Sequence, residues 1–379
     1  MEEPSQANDF RASYAEARQL FQEMSNENQW AGESHAIAGK GPNDEELTID
    51  IATSSEWQPK TLIISSGVHG VEGYFGSAVQ VAILRAVADS RLKIPSDCRI
   101  VMLHALNPYG FAWDRRADQD NIDLNRNCLI IPPDAYAGSP PGYAEVDPLI
   151  NPTTPPGLFD FFNWKLSRLA KKMGEQKIKT AIASGQYENP KGLFFGGKGA
   201  SGSLKVMRNA LQNWIPDNST CAGLLDLHSG LGEFGEYNLL AASTRKVLEQ
   251  NPLAQKFDPA KIRCLESGEG EYSARGALTT WMQKFQFAPQ FFAFTVEFGT
   301  FAGERVLAAL RAENRCHWLE KPGSPTTHAV KAEMREVFCP SAPMWRKGVI
   351  ADTLALVQQS LEILTNSAAW TETKKKTGK

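Results

Sequence analysis

The sequence contains no apolar run near 18 residues, so nothing in it reads as a membrane-spanning helix. Its opening, MEEPSQANDF, has neither the basic stretch nor the apolar stretch that directs secretion. It also lacks any CxxC pair. Cys98, Cys128, Cys221, Cys264, Cys316 and Cys339 are scattered through 379 residues. Thiols so arranged read as reduced, which argues against a disulfide framework or a zinc ribbon and leads us to expect a cytoplasmic protein. An excess of charge of one sign is missing too: the formal net charge is −3, which gives no reason to expect nucleic acid as a partner. There is no internal repeat, no clear interdomain linker, no GxSxG elbow and no HExxH. The terminal KKKTGK (within 368–379) reads as a disordered basic tail.

What is present is an ordinary globular composition, 42% apolar and 22% charged. Residues 10–30 carry Phe10, Tyr14, Ala17 and Phe21 at helical spacing, so residues 1–45 read as an N-terminal helical extension. LTIDIATSS (47–55) alternates as a strand does, and TLIISSGV (61–68) suits a strand buried on both faces. After it, Tyr74/Phe75, Ala78/Val79, Ala82/Ile83 and Ala86/Val87 recur every four residues, the stripe of a helix packed on a sheet. RIVMLHALNP (99–108), GLLDLHSG (223–230) and FFAFTVEFGT (291–300) read as further strands. Helical patterns cover 158–184, 201–213 and 352–365, the last with Leu354, Val357, Leu361 and Leu364. Residues 131–157 are rich in proline, which opposes regular structure; a lid over a site and a plain surface insertion are both open. Alternating strands and helices predict a single α/β domain spanning 1–379 with a largely parallel central sheet.

Only six histidines occur: His35, His69, His104, His228, His317 and His328. His69 follows one buried strand and His228 ends another, and the carboxyl ends of strands are where open α/β sheets gather ligands. Glu72, in the first turn of the next helix, is close enough to share a cation with His69. Two imidazoles and one carboxylate make a catalytic zinc set with a position open for water. By itself HGVE is a weak motif that reads more readily as a polar turn whose glutamate favours a helix N-terminus. Glu297 alternates with Val296 and Phe298, so it faces away from them; it is either a buried salt-bridge partner or a general base. In DRRADQDNIDLNRN (114–127), Asp123 and Asn125 share a face if the stretch is extended, with Arg126 adjacent. Arginine and asparagine together can grip a carboxylate, and Arg115 or Arg116 offers a cation for an oxyanion, though standing alone the stretch reads more readily as a solvated charged loop. GLFFGGKG (192–199) fits GxxxxGK, but Gly199 stands where a phosphate loop has Ser or Thr and no strand pattern precedes it. It reads as a glycine-rich turn before the helix at 201 and a candidate lining of a substrate cleft. His104 has no partner motif and is assigned to structure.

Taken in order, HGVE, NPYGF…DLNRN, DLHSG and FTVEFG resemble the zinc carboxypeptidase family over residues 60 to 300, and most nearly a bacterial and fungal branch catalogued as a domain of unknown function. The resemblance implies a three-layer α/β/α sandwich around a mixed, roughly eight-stranded sheet and one zinc ion. It implies that His69, Glu72 and His228 are the zinc ligands and Glu297 the general base. By the same resemblance Asn125 and Arg126 grip the substrate's terminal carboxylate, and Asp123 orients the first histidine. Asp226, two residues before His228, is read from its spacing as doing the same for the second. The family's carbonyl-polarising arginine lies further upstream of the NRN motif than Arg116 does here, and the loop is shortened, so Arg116 over Arg115 is only a preference. Its capping tyrosine has two candidates, Tyr272 in GEGEYSARG and, less well placed, Tyr237.

The expected activity is zinc-dependent hydrolysis of an amide bond beside a free carboxylate, on a peptide or an N-acyl amino acid. An N-acyl-amino-acid deacylase of the aspartoacylase type shares the same site. A non-catalytic binding module on the same fold would need a lost ligand or base, and all four positions are filled.

Overall fold

The computed structural model describes residues 9–129, 135–157, 160–215, 219–265, 274–285 and 288–366. Tyr272 and the basic tail lie outside them. Among the described residues, eight strands form one mixed sheet: β1 (Ala31–Lys40), β2 (Glu46–Thr53), β3 (Lys60–Ser65), β4 (Cys98–His104), β5 (Cys221–Phe234), β6 (Tyr237–Ala241), β7 (Ile262–Cys264) and β8 (Gln290–Gly299). Their order is β1-β2-β4-β3-β5-β8-β6-β7. The centre, β4-β3-β5-β8, is parallel, while β2 and β6 join it antiparallel from either side. From β3 the chain goes to β4 on one side and later to β5 on the other. The carboxyl ends of β3 and β5 therefore flank the crevice where such sheets bind ligands.

Each central strand alternates between two cores. Leu62 and Ile64 of β3, Leu225 and Leu227 of β5, and Phe294, Val296 and Phe298 of β8 face one side. There they meet α1 (Tyr14–Glu27), α2 (Gly73–Ala88) and, late in the chain, a helix at Pro343–Thr365. Ile63, Leu224 and Ala293 face the other side, against helices at Gly202–Trp214 and Leu278–Lys284. The remaining helices complete the chain order: α3 (Pro108–Ala112), α4 (Tyr143–Ile150), α5 (Phe162–Met173), α6 (Glu175–Ala183), α7 (Gly202–Trp214), α8 (Arg245–Leu248), α9 (Leu278–Lys284), α10 (Gly303–Leu319), α11 (Pro325–Phe338) and α12 (Pro343–Thr365). Residues of α4, α6, α10 and α11 form a third core with Val71, Leu193 and Phe194. The expected sandwich is present: an eight-stranded mixed sheet between helical layers.

Three stretches differ from the sequence reading. The segment before residue 46 contains α1 but also β1, a mostly exposed edge strand whose polar sequence hides its pairing with β2. Within 131–157, residues 131–134 lie outside the described residues, and Tyr143–Ile150 is helical despite Pro148. Six of that helix's eight residues precede Pro148 or coincide with it, so the proline removes a single late amide donor. The helical pattern at 158–184 is two helices, broken at Gly174.

Two glycines shape the turn after β3. Gly67 has φ +61° and packs on Ala105, where a Cβ would come within 2.7 Å of the alanine Cβ. At Gly70 a Cβ would lie 2.0 Å from the Gly110 carbonyl carbon, so only glycine lets the chain pass α3 this closely. The turn is pinned by Gly70 N–H to the Arg116 carbonyl (3.1 Å) and Val71 N–H to the Arg115 carbonyl (2.8 Å).

Candidate metal centre

His69 leads into a 3-10 turn, Gly70–Glu72, that runs directly into α2. This turn brings the two side chains together: His69 Nδ1 is 2.8 Å from Glu72 Oε1. His228 reaches the same carboxylate from β5, with Nδ1 3.0 Å from Oε2. His69, Glu72 and His228 are 4%, 2% and 1% exposed, and one ligand atom from each lies within 4.8 Å of the others. Among the described residues they are the group able to hold a metal ion.

The opposite ring nitrogens also face carboxylates. His228 Nε2 is 2.7 Å from Asp226 Oδ2, and Asp226 Oδ1 accepts the Ser65 hydroxyl at 2.6 Å. His69 Nε2 is 3.3 Å from Asp123 Oδ1, within ion-pair distance but not aligned as a hydrogen bond. A neutral imidazole has one N–H, and an ionised carboxylate only accepts. A ring held by Asp at Nε2 therefore turns a lone pair at Nδ1 towards Glu72, which is repulsive unless a proton or a cation stands between them. This donor set fits a metal ion: two Nδ1 atoms and a carboxylate converge, and each Nε2 has a carboxylate behind it. Burial would raise the Glu72 carboxyl, but the two histidines outweigh it and hold the group well below its ordinary range. Burial likewise opposes charge on His228, yet Asp226 and Glu72 carry its pKa well above the usual value.

Glu297 stands on β8 directly beside His228, since the parallel register pairs the two, and it pairs Asp226 with Thr295 two residues earlier. Val296 and Phe298 point into the core on the other face, as the alternation required. Glu297 Oε1 accepts the Leu231 N–H at 2.9 Å. The residue keeps some solvent contact, but its carboxyl lies deep; that burial, with the Glu72 charge nearby, pushes it up to about 7.

The two arginines of DRR part company. Arg115 is buried against Glu313 of α10 (2.9 Å) and Asn121 (2.9 Å), a core ion pair away from the centre. Arg116 instead points at the centre: Nε donates to Asp123 Oδ2 at 2.8 Å, and Nη1 is 3.9 Å from Glu72 Oε1. Asp123 caps the next short turn through the Asn125 amide at 2.9 Å. Burial opposes its charge, but Arg116, Arg126 and His69 hold its carboxyl far below the ordinary range. Asn125 Oδ1 accepts the Leu278 N–H at the start of α9. Arg126 is 1% exposed and donates to the Ala183 and Asn125 carbonyls. Tyr237 pairs with Phe298, their rings tilted with centroids 5.4 Å apart, on the face of β8 opposite to Glu297, and so does not join the centre. His104 is in the core, stacked on Phe21 at 4.4 Å.

Sequence reasoning missed Ser65, whose only signal is its position in register with Asp226, and Phe194, which lies against both Arg116 and Arg126.

A family model described as "Protein of unknown function (DUF2817)" matches residues 10–352. No curated protein matches the chain by sequence. Among solved structures, bovine thrombin-activatable fibrinolysis inhibitor in complex with tick carboxypeptidase inhibitor is 11% identical, covers 94% of this chain and 98% of its own, and superposes with a TM-score of 0.52. A second structure of thrombin-activatable fibrinolysis inhibitor is also 11% identical with a TM-score of 0.52, over 94% of this chain and 75% of its own. Carboxypeptidase A from Helicoverpa armigera is 15% identical over 85% of this chain and 73% of its own, with a TM-score of 0.46. The first two establish a shared fold.

Proposed function

Because the chain belongs to the DUF2817 family and has a carboxypeptidase-like fold, we propose that it is a zinc-dependent hydrolase of an amide bond next to a free carboxylate. One observation carries this reading: a single buried carboxylate, Glu72, lies between the Nδ1 atoms of His69 and His228, with Glu297 on the adjoining strand. His69, Glu72 and His228 would hold the ion, and Asp123 and Asp226 would keep the two rings turned with Nδ1 inward. When bound there, zinc lowers the pKa of a water towards neutrality and polarises a carbonyl.

The rest belongs to the chain's own side chains. Glu297, with a carboxyl near 7 and its Oε1 steadied by the Leu231 amide, is suited to accept a proton from water and return it to the leaving amine. Arg116 is the better placed of the two arginines to face a developing oxyanion, as Arg115 is committed to Glu313. Asn125 and Arg126 sit on the turn that Asp123 caps and form the carboxylate grip on the amine side. The six buried thiols accord with a reducing, cytoplasmic setting.

Metal analysis of protein purified without chelator, followed by a panel of peptides and N-acyl amino acids, tests the reading. Bound zinc with release of a C-terminal residue is expected. Cleavage confined to small N-acyl amino acids would make the chain a deacylase instead. Absence of both metal and turnover would overturn the hydrolase reading.

A further inference from the structure

The glycine-rich run GLFFGGKG contains a residue that the metal centre alone does not explain. Phe194 has φ +58°, a left-handed backbone conformation uncommon for a bulky side chain. Its ring lies against two cations at once: the Arg116 guanidinium carbon is 5.2 Å from the ring centroid and that of Arg126 is 5.7 Å. The backbone around it is braced on both sides. The Phe194 carbonyl accepts the Gln186 amide at 3.0 Å, Gly196 N–H donates to the Gln186 carbonyl at 2.8 Å, and the Phe195 carbonyl accepts the Asp123 amide at 2.8 Å. That last bond ties the ring to the turn bearing Asp123, Asn125 and Arg126. Phe194 packs in the core cluster of Val71, the neighbour of the metal-binding pair, yet keeps 8% exposure. Strained residues persist where their surroundings over-determine them, and they cluster at ligand clamps.

In a substrate held as proposed above, the scissile carbonyl at Arg116 and the terminal carboxylate at Arg126 are separated by one amide nitrogen and one Cα. A ring touching both arginines lies along that single residue. Resting on that reading, we propose that Phe194 selects the substrate's carboxylate-side residue, offering an apolar wall that favours an apolar side chain over an acidic one. The ring offers a side-chain carboxylate no hydrogen-bond donor to replace lost water, while a leucine or phenylalanine side chain gains buried contact.

The test uses the zinc-loaded full-length chain with N-acetyl dipeptides ending in leucine or aspartate. The parent is expected to prefer leucine by roughly tenfold or more in kcat/KM, the scale of one apolar pocket contact. Phe194→Ala should shrink that preference about tenfold, chiefly through KM, with zinc content unchanged. Phe194→Asn, which tolerates left-handed backbone, replaces it if the alanine variant does not fold. Calorimetry with free leucine and free aspartate reads the same pocket without turnover. Equal leucine-to-aspartate ratios in parent and variant, in cleavage or in binding, would overturn the proposal. A Phe194-dependent preference in binding with no peptide cleaved would instead overturn the hydrolase reading and leave this wall standing.

Discussion

Asp226 occupies an unusual position for a buried carboxylate, with Ser65 on one oxygen and His228 on the other. Outer carboxylates of this kind set the tautomer and basicity of a ligating histidine, and losing one typically costs 10- to 100-fold in metal affinity. Asp226→Asn is therefore expected to weaken zinc binding on that order, measured by competition with a chromophoric chelator, and Ser65→Ala by less. An unchanged affinity in Asp226→Asn would remove the residue from the metal's support. Glu297 makes a separate prediction. Glu297→Gln should keep its zinc and lose about 10²- to 10⁴-fold in turnover, the usual worth of a positioned base. Its pKa also links it to stability. The folded value of about 7 is above the ordinary 4.5, so the folded chain binds the proton more tightly than the unfolded chain. That contribution is complete below 4.5 and is lost as pH rises through 7. In chelator-treated protein, Glu297→Gln should accordingly melt higher than the parent at pH 8, with the gap closing at pH 4.

At the scale of elements, the loop between β3 and α2 is held by backbone contact more than by side chains. Gly70→Ala would drive a Cβ into the Gly110 backbone of α3 and shift His69 and Glu72 together. We expect a lower melting temperature and loss of bound zinc; a variant with full metal content would show that the loop yields. Helix α1 is fastened differently. Asp50 of β2 accepts from Arg18 and Gln22 of α1, and His104 of β4 stacks on Phe21. Burial lowers the His104 pKa from 6.5 to about 4. The unfolded chain then binds more protons between those values, so stability falls as pH drops from 6.5 to 4, by on the order of 3 kcal/mol. Thermal melts of the parent against His104→Gln should show the parent losing ground across that window; parallel curves would refute the link.

For the whole molecule, metal that binds only the folded chain must raise its apparent stability, by about 2.7 kcal/mol at a free concentration 100 times Kd. Chelation should therefore lower the melting temperature, and His69→Ala should melt alike with and without zinc. Much of the architecture was legible because central strands and α2 are almost wholly apolar; Leu62, Ile63 and Ile64 announce a strand buried on both faces. β1 was not, since its side chains are mostly exposed and only its backbone pairs with β2. The helices α10 and α11 escaped notice because charged residues occupy positions that the fold buries. Glu313, which pairs with Arg115 and Lys331, is the clearest case. His69, Glu72, His228 and Glu297, which the fold brings together, could be picked out because their motifs occur in one order that resembles a known family, whereas the run holding Phe194 suggested a turn and a cleft lining without singling out that residue.

The order of the strands along the chain sets a timetable. Two of the residues that would hold the ion follow β3, the third is in β5, and the carboxylate of β8 comes 69 residues after His228. On the proposed reading, the residues that would hold zinc are all synthesised before Glu297, so a chain halted between them would carry that donor set without its proton acceptor. On that reading, the means to hold an ion and the means to use it are laid down separately along the chain, and only the later strand joins them.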